Sequence, residues 1–260
     1  MSYKAVFLDI DGTMLPHRKS ITNTTKQAVQ KLKDNGIHVV VATGRAPYFA
    51  MPIIQDLHIP SAIFFNGSYV EHRGEVLHQQ PIEKSILEKL HVHTSSHQHP
   101  LTYLAGTECR VTEQNHPFVK EAFQHDPWQP DLAPATFWQE QDIYQMFLHC
   151  DMEEERLYEE RIPELHFRRW SDEGMRTCDV NAANLTKAAG ILKILEQLQV
   201  APEEAAAFGD GLNDIEMLSL VGMGVAMGNA RQEVKQHADL VTLTAEEDGV
   251  VHGLKKLGLI

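Results

Sequence analysis

Two aspartates separated by a single residue, Asp9 and Asp11, follow a short apolar segment in the stretch FLDIDGT. Carboxylates at this spacing suit a hard, oxygen-seeking cation. One of them can also attack phosphorus while the other moves a proton. The alternative is a solvated turn, because Asp and Gly favour turns for local reasons. The apolar strand that precedes D-x-D-G-T favours a functional loop, because ligands bind at the strand ends of open α/β sheets.

A second polar loop occurs in VVVATGR, where Thr43, Gly44 and Arg45 follow another apolar segment. A hydroxyl group, a closely approaching backbone amide and a guanidinium can all contact a phosphoryl group. By itself T-G-R is a weak signal, since a Thr-Gly turn before a helix is common. Its position at the end of a second predicted strand strengthens the functional interpretation.

Two further candidate segments lie towards the C-terminus. Lys187 begins a predicted amphipathic helix, so its cation lies near the positive end of that helix and is favourable only with an anion nearby. A surface lysine is the alternative. The segment AAAFGDGLNDIEML presents Asp210, Asn213 and Asp214 after an apolar strand. These carboxylates could complete an octahedral magnesium site, although Asp214 is equally interpretable as a helix N-cap.

The elements that must position these loops alternate between strand and helix. Predicted strands at 4–8, 37–41 and 62–65 are separated by predicted helices at 22–35 and 48–57. This alternation is typical of a parallel sheet with right-handed crossovers. The pattern changes near residue 82 and resumes after residue 186. We therefore predict an α/β protein with a Rossmann-like parallel-sheet core from residues 1–81 and 186–260 and an inserted α+β domain at 82–185.

Composition and charge limit the classes of partner. The chain has 260 residues and a formal net charge of −13, which argues against nucleic acid or an anionic membrane as partner. No long apolar run is present, and the first apolar segment is too short for a signal peptide, so we expect a cytoplasmic protein. Cys109, Cys150 and Cys178 form no C-x-x-C pair and are expected to be reduced, buried thiols.

Two conspicuous runs in the predicted insertion are interpreted as structural. His91, His93, His97 and His99 have a spacing that can bind transition metals. No acidic or cysteine ligand accompanies them in the sequence, which favours a solvated histidine-rich face. The acidic run at 153–155 indicates an exposed helix start stabilised by the helix dipole.

Taken in order, DIDGT, ATGR, the lysine of NLTKAAGI and GDGLND resemble the four motifs of the haloacid dehalogenase superfamily. The insertion between the second and third motifs makes the chain similar to the Cof-type subfamily IIB, whose core carries a C2B-type cap. Each motif is short, but together they span nearly the whole chain. One departure is Ala188 after the motif lysine, where the family often has glycine; Lys187 itself is intact.

The resemblance implies a role for each motif residue. Asp9 would be the nucleophile and a magnesium ligand, and Asp11 the general acid and base with its backbone carbonyl on the metal. Asp210 would be the second carboxylate ligand and Asp214 its acidic neighbour. The implied phosphate-holding and substrate-side positions are the Ile10 amide, Thr43, Gly44, Arg45, Asn66, Gly67, Lys187 and Asn213.

The function implied is that of a phosphoric monoester hydrolase. We expect a Mg²⁺-dependent phosphatase that hydrolyses a small phosphorylated metabolite, a sugar phosphate or nucleotide-like phosphate, through an aspartyl-phosphate. A phosphotransferase or phosphomutase would use the same intermediate. A metal- and phosphate-binding regulatory protein with little turnover is a third alternative, but binding alone requires no proton-transfer carboxylate. A P-loop enzyme and a nicotinamide enzyme are disfavoured, because neither glycine-rich signature is present.

Overall fold

The computed structural model describes residues 3–16, 20–124, 128–170 and 174–260. Within these ranges the strands are β1 (Ala5–Leu8), β2 (His38–Ala42), β3 (Ser61–Phe64), β4 (Tyr69–His72), β5 (Glu75–Gln79), β6 (Leu101–Ala105), β7 (Cys109–Val111), β8 (Asp131–Leu132), β9 (Ile143–Leu148), β10 (Leu165–Arg169), β11 (Cys178–Ala182), β12 (Ala205–Gly209), β13 (Met223–Ala226) and β14 (Leu240–Val241). The helices are α1 (Asn23–Asp34), α2 (Pro47–Asp56), α3 (Lys84–His97), α4 (Pro117–Phe123), α5 (Phe137–Glu140), α6 (Met152–Arg161), α7 (Lys187–Leu198), α8 (Ile215–Leu220), α9 (Gln232–Lys235) and α10 (Gly249–Lys256).

The chain divides into two compact units. The first comprises Met1–Arg45, Phe49–Gln79 and Thr186–Ile260, and the second comprises Ala46–Tyr48 and Gln80–Leu185. The first unit contains an eight-stranded sheet in the order β14-β13-β12-β1-β2-β3-β4-β5, and the second a six-stranded sheet in the order β10-β11-β9-β6-β7-β8. The predicted division into a catalytic core and an inserted cap domain stays a prediction.

The first sheet is parallel from β14 to β3. Its central strands β1 and β12 are buried at every position, as expected for strands covered on both faces. The predicted α/β class with a parallel-sheet core is confirmed. The antiparallel edge formed by β4 and β5 was not predicted. Arg73 and Gly74 form the turn between them with φ of 52° and 81°, and this pair lacks the Asn-Gly or Asp-Gly signal that usually predicts a hairpin.

Local sequence signals explain the two helices that matter most for the first unit. Thr22 caps α1 by accepting a hydrogen bond from the Thr25 amide at 3.1 Å. Thr186 caps α7 in the same way, accepting from the Ala189 amide at 3.3 Å. Buried residues of α7 belong to the same apolar cluster as the inward side chains of β1 and β2. The start of α7 is therefore fixed by both its cap and its packing.

The second unit has its own core, and a buried polar chain crosses it. His149 lies between the hydroxyls of Thr102 and Thr177, at 2.9 Å from each. Burial lowers the pKa of His149 to about 3, so this imidazole is neutral at physiological pH. Cys109, Cys150 and Cys178 are buried free thiols, as expected from the sequence.

The histidine-rich run is only partly solvated. His91 Nδ1 lies 2.9 Å from the Tyr103 hydroxyl. His99 lies 2.6 Å from the Tyr158 hydroxyl and 3.0 Å from Glu154. The predicted solvated face holds for His97, which is exposed, but the expectation of no acidic neighbour was wrong, because folding brings Glu154 to His99, 55 residues away in sequence. Among the residues described, these histidines do not converge with other ligands into a group of three.

No helix among the described residues is long and apolar enough to cross a lipid bilayer.

Candidate active site

The predicted polar loops lie at the carboxyl ends of four neighbouring strands. In the first sheet β12, β1, β2 and β3 are consecutive and parallel, so their carboxyl ends share one edge. Asp210 follows β12, Asp9 follows β1, Thr43 follows β2, and Asn66 comes two residues after β3. The strand order thus brings together segments that are up to about 200 residues apart, at the edge where open α/β sheets bind ligands.

Three carboxylates converge at this edge. One oxygen from each of Asp9, Asp210 and Asp214 lies within 4.8 Å of the others. Asp9 is 5% exposed and Asp214 is 1% exposed, so most of this negative charge is removed from water. A set of carboxylate oxygens is what Mg²⁺ prefers among protein donors. The arrangement therefore fits a hard divalent cation.

Lys187 is buried against two of these carboxylates. Its Nζ donates to Asp9 Oδ1 and to Asp214 Oδ1, each at 2.6 Å. The surface-lysine alternative is wrong, since the residue is 1% exposed. Gly67 contributes to this placement: its φ is +108°, and an added Cβ would lie 2.2 Å from the Thr186 carbonyl oxygen. The loop after β3 therefore approaches the first turn of α7 more closely than a side chain would allow.

Burial and the neighbouring charges shift the pKa values of Asp9, Asp210 and Lys187. Burial raises the pKa of Asp9 well above its usual range, with Lys187 opposing the shift and Asp214 adding to it. Burial and then Asp214 raise the pKa of Asp210 to about 7. Burial alone would lower the pKa of Lys187, but Asp214 and Asp9 more than offset it, so its pKa lies above the usual value. Lys187 therefore stays positively charged, and its single charge offsets only part of the negative charge that the neighbouring carboxylates carry when ionised.

Asp214 organises the loop after β12. Its Oδ2 accepts hydrogen bonds from the backbone amides of Asp210 and Gly211, at 2.9 and 2.8 Å, while its Oδ1 accepts from Lys187. Both oxygens therefore have donors within the protein. At the start of α8 the Asp214 side chain makes no capping hydrogen bond, so the interpretation of Asp214 as a helix N-cap is wrong. Its bonds run to amides that precede it and hold the backbone of the loop after β12 next to Lys187.

Asp210 is held by two residues that the sequence reasoning did not single out. Thr13 Oγ1 donates to Asp210 Oδ1 at 3.0 Å, and Asn229 Nδ2 donates to Asp210 Oδ2 at 3.1 Å. Gly12, with a φ of +75°, allows this approach, because an added Cβ would lie 2.1 Å from Asp210 Oδ2. Thr13 could have been found as the last residue of DIDGT. For Asn229 the only signal was its position shortly after a strand that neighbours β12.

Asp11 lies apart from the buried carboxylates. Its side chain is 57% exposed and forms a two-pronged ion pair with Arg45, from Nε at 2.7 Å and from Nη2 at 2.5 Å. Arg45, expected on the substrate side, therefore contacts the expected general acid in this structure. Ile10, between the two aspartates, is buried, and its carbonyl accepts from the Leu15 amide at 2.8 Å.

The remaining predicted residues form a connected polar wall. The Thr43 carbonyl accepts from the Asn66 amide at 3.1 Å, and the Asn66 side chain accepts from Asn213 Nδ2 at 2.9 Å. Gly44 lies against the same asparagine, at a distance that leaves little room for a side chain. Asn66 has a φ of 55°, a left-handed conformation that asparagine adopts more readily than most residues. The wall therefore joins the loops after β2, β3 and β12.

Comparisons with known proteins agree with this geometry. Residues 6–254 match the sequence profile of the haloacid dehalogenase-like hydrolases. The chain is 36% identical to YkrA of Bacillus subtilis, a candidate phosphatase, over all of both chains. It is 30% identical to YitU of the same organism, a 5-amino-6-(5-phospho-D-ribitylamino)uracil phosphatase, over 96% of each chain.

Among solved structures, the fold matches that of BT4131, described as a subclass IIB sugar phosphatase. The TM-score is 0.87 and the sequence identity is 30%, covering 99% of this chain and 100% of BT4131. Similarity in sequence and in fold therefore extends along the whole chain.

Proposed function

Because the chain belongs to the haloacid dehalogenase-like hydrolases, we propose that it is a Mg²⁺-dependent phosphatase that forms an aspartyl-phosphate on Asp9. The observation that carries the proposal is the contact of buried Lys187 with Asp9 at 2.6 Å inside a group of three carboxylates. A nucleophilic carboxylate beside a fixed cation is the arrangement that attack on an anionic phosphoryl group requires.

Asp9 and Asp210 are the residues that would hold Mg²⁺, together with the backbone carbonyl of Asp11, and Asp214 supports them. The three carboxylates offer oxygen ligands only. Burial and then the neighbouring charge of Asp214 raise the pKa of Asp210 to about 7, and a bound cation would offset that negative charge. When bound, the metal supplies electrostatic stabilisation of the phosphoryl oxygens.

In the first step, one Asp9 oxygen forms a bond to phosphorus, and the bond from phosphorus to the ester oxygen breaks. Asp11 gives its proton to the departing oxygen, so that an alcohol leaves. In the structure Asp11 is the carboxylate of an ion pair with Arg45 at the exposed side of the site. To act as the acid it has to exchange this pair for a proton from water when the substrate binds. Asp11 is thus the group that ends the first step as a carboxylate.

In the second step, water attacks the phosphorus of the aspartyl-phosphate and gives its proton to Asp11. The bond between phosphorus and Asp9 breaks, which restores the carboxylate and releases inorganic phosphate. Asp11 regains the proton that it lost and is ready for another cycle. Lys187 neutralises charge on Asp9 and on the transferring group in both steps.

The phosphoryl oxygens would bind to the polar wall and to the amide following Asp9. The proposed contacts are Ile10 N, Thr43, Gly44, Lys187 and Asn213, with Arg45, Asn66 and Gly67 towards the substrate. In this assignment the first unit is the catalytic core, and the second is the cap that selects the substrate. These roles extend the residue assignments made from the four motifs.

The substrate class we propose is a small phosphorylated metabolite, either a sugar phosphate or a nucleotide-like phosphate. YitU is named for a phosphorylated ribityl compound and BT4131 for sugar phosphates, which supports a polyhydroxylated leaving group. The acidic chain, with its net charge of −13, supports a small substrate attracted by local cations rather than a polyanion. The cytoplasmic location stays a prediction.

The decisive experiment measures inorganic phosphate released from a panel of phosphorylated metabolites, with and without Mg²⁺. The wild type is compared with Asp9→Asn and with Asp34→Asn, a matched change at an exposed position of α1. We expect release that requires Mg²⁺, survives in Asp34→Asn and is lost in Asp9→Asn. Mass spectrometry of rapidly quenched protein should find the phosphoryl group on the Asp9 peptide.

Absence of phosphate release from every compound, by protein that is folded and binds Mg²⁺, would contradict hydrolysis. Consumption of the phosphorylated compound with appearance of a different phosphorylated product would instead identify a phosphotransferase or mutase. Mg²⁺ binding without either change would identify a binding protein. Release that persists in Asp9→Asn would exclude Asp9 as the nucleophile.

A further inference from the structure

Asn229 connects three segments of the first unit through its side-chain amide. Its Nδ2 donates to the Gly12 carbonyl at 2.9 Å and to Asp210 Oδ2 at 3.1 Å. Its Oδ1 accepts from the Ala245 amide at 2.9 Å. The residue is solvent-exposed and lies in the loop after β13. One small side chain therefore links the loop after β1, the loop after β12 and the turn before α10.

Few side chains other than an amide can make these three bonds. Asparagine presents two donor hydrogens and an acceptor on one planar group, whereas an aspartate would offer acceptors only. A carboxylate at this position would face the Gly12 carbonyl and the Asp210 carboxylate with no hydrogen to donate. An asparagine at position 229 therefore suits its three partners: its NH₂ group donates to two acceptors, and its oxygen accepts from one backbone amide.

The bond to Asp210 completes the fixation of that carboxylate. Thr13 Oγ1 holds Oδ1 at 3.0 Å, and Asn229 holds Oδ2 at 3.1 Å, so each oxygen has a donor from a different loop. Two donors on opposite oxygens define the plane of the carboxylate and leave its remaining lone pairs for a ligand. Such outer partners orient metal-binding groups and tune their affinity.

We propose that Asn229 is a positioning residue for the divalent cation, acting through Asp210 and through the Gly12 backbone. This inference rests on the proposed use of Mg²⁺ by the carboxylate group. Asn229 touches neither the substrate nor the reacting oxygens in this role. It fixes the direction of one metal ligand, so its loss weakens metal binding before it changes the chemistry.

The test is the affinity for Mn²⁺, used as a paramagnetic substitute for Mg²⁺, measured on the full chain without substrate. Wild type, Asn229→Ala and Asn35→Ala are compared. Asn35 Nδ2 donates to the Leu259 carbonyl at 2.8 Å, so its removal costs a comparable amide-to-carbonyl bond in the same unit, outside the acidic group. We expect a Kd for Mn²⁺ raised about 10- to 100-fold in Asn229→Ala and unchanged in Asn35→Ala.

A second measurement separates positioning from a general structural role. At saturating Mg²⁺ the kcat of Asn229→Ala should recover most of the wild-type value, because the reacting groups are intact. Equal Mn²⁺ affinity in wild type and Asn229→Ala, with a thermal stability loss like that of Asn35→Ala, would overturn the inference and leave the proposed function standing. A wild type that binds no Mn²⁺ or Mg²⁺ would overturn both.

Discussion

Each of the two units buries a cation against carboxylates, and the two clusters differ in their charge balance. In the first unit, Lys187 contacts Asp9 and Asp214 at 2.6 Å each. Asp210 belongs to the same carboxylate group, which leaves three acidic groups for one ammonium. The cluster therefore has fewer positive charges than a balanced structural ion pair would need.

The cluster of the second unit balances within itself. Arg169 forms an ion pair with Glu155, and both side chains are nearly buried, at 9% and 12% exposure. Arg169 Nη1 also donates to the Met175 carbonyl at 2.7 Å and to the Cys150 carbonyl at 3.3 Å. One cation meets one anion, and backbone carbonyls accept further bonds from the guanidinium. A buried pair that is balanced in this way serves the fold, whereas the excess of carboxylates around Lys187 calls for a further cation.

The largest expected effect comes from removing either cation. Lys187→Met and Arg169→Met should each lower the free energy of unfolding by about 3–5 kcal/mol, because each leaves a buried carboxylate without its partner. Only Lys187→Met should also lower kcat, by about 10²- to 10³-fold, since it removes a cation aimed at the transferring group. Urea denaturation and phosphate-release assays measure the two quantities. Loss of Mn²⁺ binding in Arg169→Met but not in Lys187→Met would contradict the assignment of the cation site to the Lys187 cluster.

Adding Mg²⁺ should distinguish the clusters next. At 100 times its Kd, Mg²⁺ should stabilise the wild type by about 2.7 kcal/mol, and EDTA should remove this increment. Asp210→Asn should abolish most of the increment, because it neutralises a proposed ligand. Glu155→Gln, the matched control in the second unit, should be less stable than wild type but keep the full increment. Thermal melts with and without Mg²⁺ decide the matter.

The pH dependence of metal binding follows from the raised pKa of Asp210. Without metal, the folded protein holds a proton on this group up to about pH 7, whereas the unfolded chain loses it near 3.8. The contribution of Asp210 to the free energy of unfolding therefore falls as pH rises from about 4 to 7.

Metal binding has the opposite slope, because the cation requires the ionised carboxylate. Mn²⁺ affinity should rise between pH 5 and 7, by at most about tenfold per unit for the proton on Asp210, and the raised pKa of Asp9 should add to the rise. Mn²⁺ titrations across this range measure the slope. A flat profile from pH 5 to 7 would contradict the assignment, and Asp210→Asn should show a shallower rise than wild type.

The smallest effect is expected for the exposed ion pair between Arg45 and Asp11. Arg45→Gln should change the free energy of unfolding by less than about 1 kcal/mol, because water competes with a pair in which Asp11 is 57% exposed. This contrasts with the buried cations of both units. Urea denaturation measures it, and a loss as large as that of Lys187→Met would mean that the pair is more isolated from water than its exposure indicates.

The sequence alone determined the family, the fold class and the class of enzyme. The resemblance carried by DIDGT, ATGR, Lys187 and GDGLND is confirmed by the family match, and the α/β fold and the phosphatase class are confirmed with it. These features were predictable because three of the four motifs combine a buried strand with a polar loop, the fourth begins a helix, and such patterns are local. Strand order along a parallel sheet then places the loops at one edge with little freedom.

Only the tertiary structure decided which partner each charged group has. The sequence could not show that Asn229 lies beside Asp210 or that Arg45 pairs with Asp11. Nor could it show that Glu155, in an acidic run predicted to be exposed, is nearly buried against Arg169. It also missed the approach of Glu154 to His99. Hydrogen bonds and ion pairs act over a few ångströms between residues far apart in the chain, so no local pattern encodes them. Folding brings three carboxylates and one ammonium together at this site, and so decides how much negative charge a bound cation has to neutralise.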